Sequence, residues 1–281
     1  MLKKLIIGTA QFGMNYGITN SEGKMNKDEI GRILNFCKSN NINTFDTAKD
    51  YGNAEDLLSE WQKENPNIKI ITKAKSNFNY VTLTDKFKSL ECFLFHSYGD
   101  YTPENVQKVK TNPKVHSIGI SVYTVREAIH VLTDNIVDII QIPFNYVDHQ
   151  WFNTEFQNLL KLTKVKIHVR SIFLQGLLIN RITPEKCPKN IEYTDFCALN
   201  NIIDEITEKV KLSRKQLCFA FINSFPWIDK FLIGIDNFDH LIDNYETIIE
   251  DLHLSQENIE YIRCKTQGIN QYITSPLLWQ L

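Results

Sequence analysis

The sequence contains no apolar stretch approaching the roughly 18 uninterrupted residues of a membrane-crossing helix. Its amino-terminal apolar run, Leu5–Ile7 within MLKKLIIGTAQFG, is also too short for the hydrophobic core of a secretion signal. Neither charge sign is in marked excess: 31 Lys and Arg face 33 Asp and Glu, a formal charge of -2. With no basic field to meet phosphate backbones or anionic lipid, neither nucleic acid nor membrane is expected as a partner. Paired cysteines are missing too. Cys37, Cys92, Cys187, Cys197, Cys218 and Cys264 are scattered singly without CxxC spacing, so they read as small buried apolar groups in a cytoplasmic protein. His149, between Asp148 and Gln150, has no second His or Cys at ligand spacing, and no metal is expected. Finally, no Gly/Ser/Pro linker divides the 281 residues, which predicts one domain over 1–281.

What is present is an ordinary core-forming composition, 43% hydrophobic and 23% charged, arranged in alternating patterns. Short runs rich in β-branched and other apolar residues at Leu5–Thr9, Thr44–Thr47, Lys69–Thr72, Cys92–His96, Ser117–Ile120, Ile139–Ile142, Lys166–Ser171 and Phe231–Gly234 read as strands. Amphipathic stretches separate most of them. In Asn26–Ser39 the residues Ile30, Ile33, Leu34 and Cys37 recur at helical spacing, and Thr124–Leu132, Phe152–Leu162, Asn200–Val210 and Arg214–Asn223 read likewise. Strand–helix alternation of this kind predicts an α/β fold, a (β/α)8 TIM barrel. Its third helix, within Ser76–Ser89, is expected to be shortened. Residues 180–193, holding Pro184, Cys187 and Pro188, are expected to form a loop able to act as a lid. The apolar tail 268–281, with Trp279, is expected to dock on the barrel or on a partner.

Barrels of this class gather their chemistry at the carboxyl ends of the strands. Asp46 ends the second expected strand, Tyr51 follows on its loop, Lys73 ends the third and His96 the fourth. A phenol beside an ammonium suits the protonation of a carbonyl that is receiving hydride, because a positive neighbour favours the phenolate left behind. Asp46 would hold Lys73, and His96 would donate to the carbonyl oxygen. Lys75 is a rival for Lys73, but the strand-end position favours the latter. Trp61, Trp151, Trp227 and Trp279 read as core or interface aromatics, with Trp151 alone placed where it could line the mouth.

In order along the chain, GTAQFG, FDTAKDYGNAE, ITKAK, LFHS, GIS, the Gln of IIQI and RSIFLQGLL resemble the aldo-keto reductases, from about Leu5 to Asn244. The resemblance implies that Asp46, Tyr51, Lys73 and His96 form the catalytic tetrad. It also implies an extended NADP(H) or NAD(H), bound without a Rossmann fingerprint. Ser121 and Gln141 match the positions that hydrogen-bond the nicotinamide carboxamide, Ser171, Phe173, Gln175 and Gly176 the loop beside the pyrophosphate, and Gly234 to Asn244 the adenosine segment, with Asn244 at the adenine; Thr9 joins the cofactor-contacting set.

Departures from the family pattern accompany this match. Val122 replaces a common Asn, Arg170 replaces the aromatic that stacks on the nicotinamide, and the interval from Lys73 to His96 is short. Asp236 and His240 stand where many relatives carry a base for the 2′-phosphate, which favours NAD over the NADP that the family implies. The expected partner is a small carbonyl substrate, an aldehyde, ketone, sugar or nucleotide sugar. Two alternatives remain open at this stage: a cofactor-binding sensor of the same fold without turnover, and a lyase or isomerase using Lys73 as a Schiff base.

Overall fold

A computed structural model describes residues 1–75 and 85–280. Eight parallel strands run in chain order: β1 (Leu5–Gly8), β2 (Thr44–Asp46), β3 (Lys69–Ala74), β4 (Cys92–Phe95), β5 (Ile118–Ser121), β6 (Ile139–Pro143), β7 (Lys166–Arg170) and β8 (Lys230–Gly234). Each pairs with the next, and β8 pairs back onto β1, Leu5 against Phe231 through Gly8 against Gly234, so the sheet closes. This is the (β/α)8 barrel expected from the strand–helix alternation, with every expected strand found. Helices α1 (Lys27–Ser39), α2 (Ala54–Glu64), α3 (Pro103–Lys110), α4 (Val125–Asp134), α5 (Thr154–Leu162), α6 (Tyr193–Val210), α7 (Arg214–Asn223), α8 (Phe238–Ile249) and α9 (Gln256–Thr266) accompany the strands. Residues 76–84, which hold most of the expected short third helix, lie outside the described residues.

Nearly every strand residue is buried because each strand has two covered faces, one toward the barrel axis and one toward the helices. Ile6, Ile71, Cys92, Leu94 and Ile139, with Leu232 against them, form a separate apolar plug, while the alternate strand residues join the larger cluster shared with the helices. In α1 the four apolar residues expected to face the core, Ile30, Ile33, Leu34 and Cys37, are all buried, and Asn26 caps its first turn by accepting from the Glu29 N–H. Helix α6 starts at Tyr193, well before the expected Asn200. Phe196 and Leu199 continue the buried stripe of Ile203 and Ile206 back through the polar-looking YTDFCALN.

Lys189 N donates to Gln280 O (2.8 Å), Gln280 N to Asn190 Oδ1 (2.9 Å) and Asn190 Nδ2 to Leu278 O (2.8 Å), so the tail runs against the 180–193 loop. The cysteine expectation needs correction. Cys37, Cys92 and Cys218 are buried, but Cys197 and Cys264 are exposed because they lie on outward helix positions, and Cys187, on a loop at the edge of the core, is half-buried. Among the described residues no helix is long and apolar enough to cross a membrane.

Candidate active site

Each of the four expected catalytic side chains reaches the barrel mouth by its own route. Asp46 is the last residue of β2, Lys73 lies at the end of β3, and His96 directly follows β4. Tyr51 depends on a tighter device. Gly52, at φ +55°, lies against Gly13 so closely that a Cβ on it would stand 2.3 Å from the Gly13 carbonyl oxygen, and one on Gly13 would stand 1.8 Å from that of Tyr51. Only glycine allows both that approach and that left-handed backbone, so the pair pins the Tyr51 loop to the turn after β1.

The four converge. Lys73 Nζ is hydrogen-bonded to Asp46 Oδ1 and also donates to Thr47 O (3.1 Å), with Asp46 and Lys73 each only 2% exposed. Gln141 Nε2 donates to the other Asp46 oxygen (2.9 Å). The Lys73 ammonium lies 5.3 Å from the centre of the Tyr51 ring, and the His96 ring meets Tyr51 edge-on with centroids 6.1 Å apart. Lys75, the rival, points outward: its side chain is 53% exposed and pairs with Asp50 at 2.9 Å. Asp50 also stands 3.6 Å from His96 Nδ1.

The electrostatics correct one expectation. Burial pushes the Tyr51 phenol above its ordinary value and the nearby Asp46 carboxylate pushes the same way, so Lys73 does not make it acidic in the resting site. The ammonium is already answered by Asp46, and the Arg170 charge, which does lower the phenol, does not offset desolvation. Tyr51 is therefore a fully protonated donor. His96 is drawn down to about 4, chiefly by burial and next by the Lys73 charge, so at neutral pH it is a neutral imidazole that donates from one nitrogen only.

A cleft of about 870 Å³ opens over this cluster, and every residue expected to meet cofactor lines it: Thr9, Ser121, Gln141, Arg170, Ser171, Phe173, Gln175, Gly176, Gly234, Asp236, His240 and Asn244. Gln175 and Gly176 form its rim. Leu174 and Gln175 both have positive φ, and Gly176 follows at φ +92°, where a Cβ would stand 2.0 Å from Thr19 Oγ1. Thr19 Oγ1 donates to Gln175 O (3.0 Å) and Ile18 N to Gln175 Oε1 (3.2 Å), tying the loop after β1 to the loop after β7. At the far end, Asp236 accepts from Gln11 Nε2 (3.0 Å) and stands 3.6 Å from His240 Nδ1, and the bond to Asp236 raises that imidazole. Gln141 Oε1 and Asn244 Oδ1 are buried acceptors without a hydrogen-bond partner. Native interiors rarely leave such atoms unsatisfied, so both read as waiting for donors on a ligand.

Residues not singled out from sequence complete the cleft. Tyr16 and Tyr123 line it beside Arg170, and Arg214 and Lys215 line it from the first turn of α7. Both bases are already paired, Lys215 with Asp243 and Arg214 with Asp204 and Asn200. A signal for the second pair was available: Ser213 and Gln216 form a reciprocal capping box, the S-x-x-Q pattern that marks a helix N-terminus, a natural seat for anions. Trp151, by contrast, is fully buried against Phe156 and takes no part in the mouth.

A model of the Aldo/keto reductase family matches residues 4–266. Among solved structures, a glycerol dehydrogenase from Gluconobacter oxydans superposes with a TM-score of 0.70 at 15% identity, covering 97% of this chain and 93% of that one. A protein from Pseudomonas aeruginosa described as an aldo-keto reductase gives a TM-score of 0.62 at 15% identity, covering 88% and 90%. A comparison with curated proteins finds no match.

Proposed function

Because the chain belongs to the aldo/keto reductase family, we propose that it reduces the carbonyl of a small molecule with NADH or NADPH, Tyr51 giving the proton. The observation that carries this reading is the buried Lys73–Asp46 pair beside a protonated phenol and a neutral imidazole, all opening into one cleft. A dinucleotide fits the rest of that cleft. Gln141 Oε1 and Ser121 would take the carboxamide, the Gln175–Gly176 rim the pyrophosphate, and Asn244 Oδ1 the adenine amine. When bound, the nicotinamide supplies hydride to the carbonyl carbon.

The protein's own groups handle the oxygen. His96 donates to the carbonyl oxygen, orienting it and sharing the negative charge that grows there. Tyr51 Oη then transfers its proton to that oxygen, and the phenolate left behind sits within the field of Lys73. Burial keeps the proton on Tyr51 until the more basic alkoxide forms beside it, which ties proton release to the reaction. Lys73 spends its ammonium on Asp46 and Thr47, an arrangement that suits a fixed cation better than a Schiff-base amine.

For the cofactor, Asp236 and the Asp243 partner of Lys215 put two carboxylates on the stretch that resembles the family's adenosine segment, which supports a preference for NADH. The decisive experiment replaces Tyr51 by Phe. Nicotinamide fluorescence should show cofactor affinity retained while kcat falls about 10²- to 10⁴-fold, the usual worth of a positioned acid. An unaltered rate removes Tyr51 from the mechanism. Tight binding by the wild type, with no turnover of a broad carbonyl panel, would instead favour a cofactor-binding sensor.

A further inference from the structure

Charge at the carbonyl end of the cleft does not balance. Asp46 answers Lys73 and Asp50 answers Lys75, while Tyr51 and His96 are neutral. Arg170, the last residue of β7, is left over: among the described residues no carboxylate lies within ion-pair distance of it. Asp148, on the loop after β6, feels the Arg170 charge but turns its oxygens to Gln150 Nε2 and the Trp151 indole, so it forms no direct pair with the guanidinium.

The guanidinium is nevertheless held firmly. Its plane rests on the Tyr123 ring, 4.3 Å from the centroid, with one nitrogen donating to Ser171 Oγ and another to Val122 O, both at 3.3 Å. Five N–H donors sit on a guanidinium, so three remain. It is half-buried in the wall of the cleft, and its charge reaches both the Tyr51 and the Tyr16 hydroxyls. A fixed, partly desolvated guanidinium with spare donors is the usual receptor for a carboxylate or phosphate, two of whose oxygens match its fork.

We propose that Arg170 binds a carboxylate or phosphate on the substrate, so that the physiological carbonyl compound is anionic. The inference rests on the reductase reading of the same cleft and gives the resemblance-based nicotinamide position a different task. Tyr123 supports the guanidinium from behind, and Tyr16 closes the same end of the cleft from the loop after β1.

Matched pairs test it. With saturating NADH or NADPH, kcat/KM is measured for succinic semialdehyde against butanal and for glyceraldehyde 3-phosphate against glyceraldehyde, in wild type, Arg170→Gln and Arg170→Lys. The charged member of at least one pair should be preferred by about tenfold or more, through KM, equivalent to about 1.4 kcal/mol. That ratio should collapse toward one in Arg170→Gln and survive in part in Arg170→Lys, which also controls for loss of fold. Which pair responds identifies the oxyanion.

A wild-type ratio near one overturns the proposal. So does an unchanged ratio in Arg170→Gln accompanied by weaker cofactor binding, which would return the guanidinium to the nicotinamide. Calorimetry with succinate and with inorganic phosphate on cofactor-loaded protein separates the two readings. Arg170-dependent binding without turnover of any carbonyl upholds the anion site and removes the reductase. Turnover of neutral carbonyls without such binding does the reverse, and neither binding nor turnover removes both.

Discussion

The two ends of the cleft handle charge in opposite ways. At the reaction end Asp46 and Lys73 are almost wholly buried, share Gln141 and Thr47 as further partners, and sit on strand ends. At the end proposed for the adenosine Lys215 pairs with an Asp243 whose side chain is 62% exposed, and both come from helices. A buried pair cannot fall back on water when it is broken, whereas an exposed one can. The first arrangement suits the proposed catalytic lysine, which must be held still, and the second would let a ligand exchange partners.

The same substitution at both ends tests that contrast most strongly. Asp46→Asn strands the Lys73 ammonium in a dry site and should destabilise the protein by about 3–5 kcal/mol in urea unfolding. Asp243→Asn should cost at most about 1 kcal/mol, since its carboxylate is mostly in water. Equal losses would mean that water reaches the reaction end far more freely than the burial of Asp46 and Lys73 indicates.

Two histidines carry the comparison into pH. His96 has a folded value of about 4 against an ordinary 6.5, so the unfolded chain binds the proton more readily between these values. Its contribution to stability is complete above about pH 6.5 and is lost as pH falls toward 4, amounting to about 2 kcal/mol at pH 5. His240 runs the other way, because its bond to Asp236 raises it: it adds stability in acid and loses it as pH rises through the folded value. Unfolding free energy followed from pH 7.5 to 4.5 should flatten in His96→Gln and steepen slightly in His240→Gln. An identical slope in wild type and His96→Gln would show that burial does not govern this imidazole. His168, buried within β7 and drawn down to about 3 by burial, adds to the same acid loss and is replaced in a parallel control.

Legibility in the sequence divides along the same line. The strands, and the convergence of Asp46, Tyr51, Lys73 and His96 at one mouth, could be read from local pattern, because short apolar and β-branched runs locate β2, β3 and β4, and the barrel rule then makes the polar residues at their carboxyl ends candidates. The resting protonation of Tyr51 could not be read that way. It depends on how completely Asp46 cancels Lys73 and on how dry the mouth is, quantities set only once the strands close. The adenosine end was half legible: Asp236, His240 and Asn244 lie in one stretch, but Gln11 reaches Asp236 from the opposite end of the chain, and Lys215 arrives on α7 already paired with Asp243. Arg170 was visible as a departure from pattern, while the absence of a direct ion pair on it, with Asp148 near but turned to Gln150 and Trp151, became visible only in three dimensions.

The smallest expected effect concerns which cofactor the adenosine end prefers. A 2′-phosphate brought near Asp236 and Asp243 meets two carboxylates, and the bases beside it, Lys215 and Arg214, are already engaged. NADH should therefore bind more tightly than NADPH. Asp236→Ser removes one carboxylate and frees Gln11 and His240 as donors, which should shift the ratio of the two dissociation constants about tenfold toward NADPH, or about 1.4 kcal/mol. Fluorescence titration of both cofactors reads this directly and requires no turnover. A ratio that favours NADPH in the wild type, and does not move in the variant, would show that Lys215 abandons Asp243 for the phosphate, making the looser end of the cleft more adaptable than its resting ion pairs suggest.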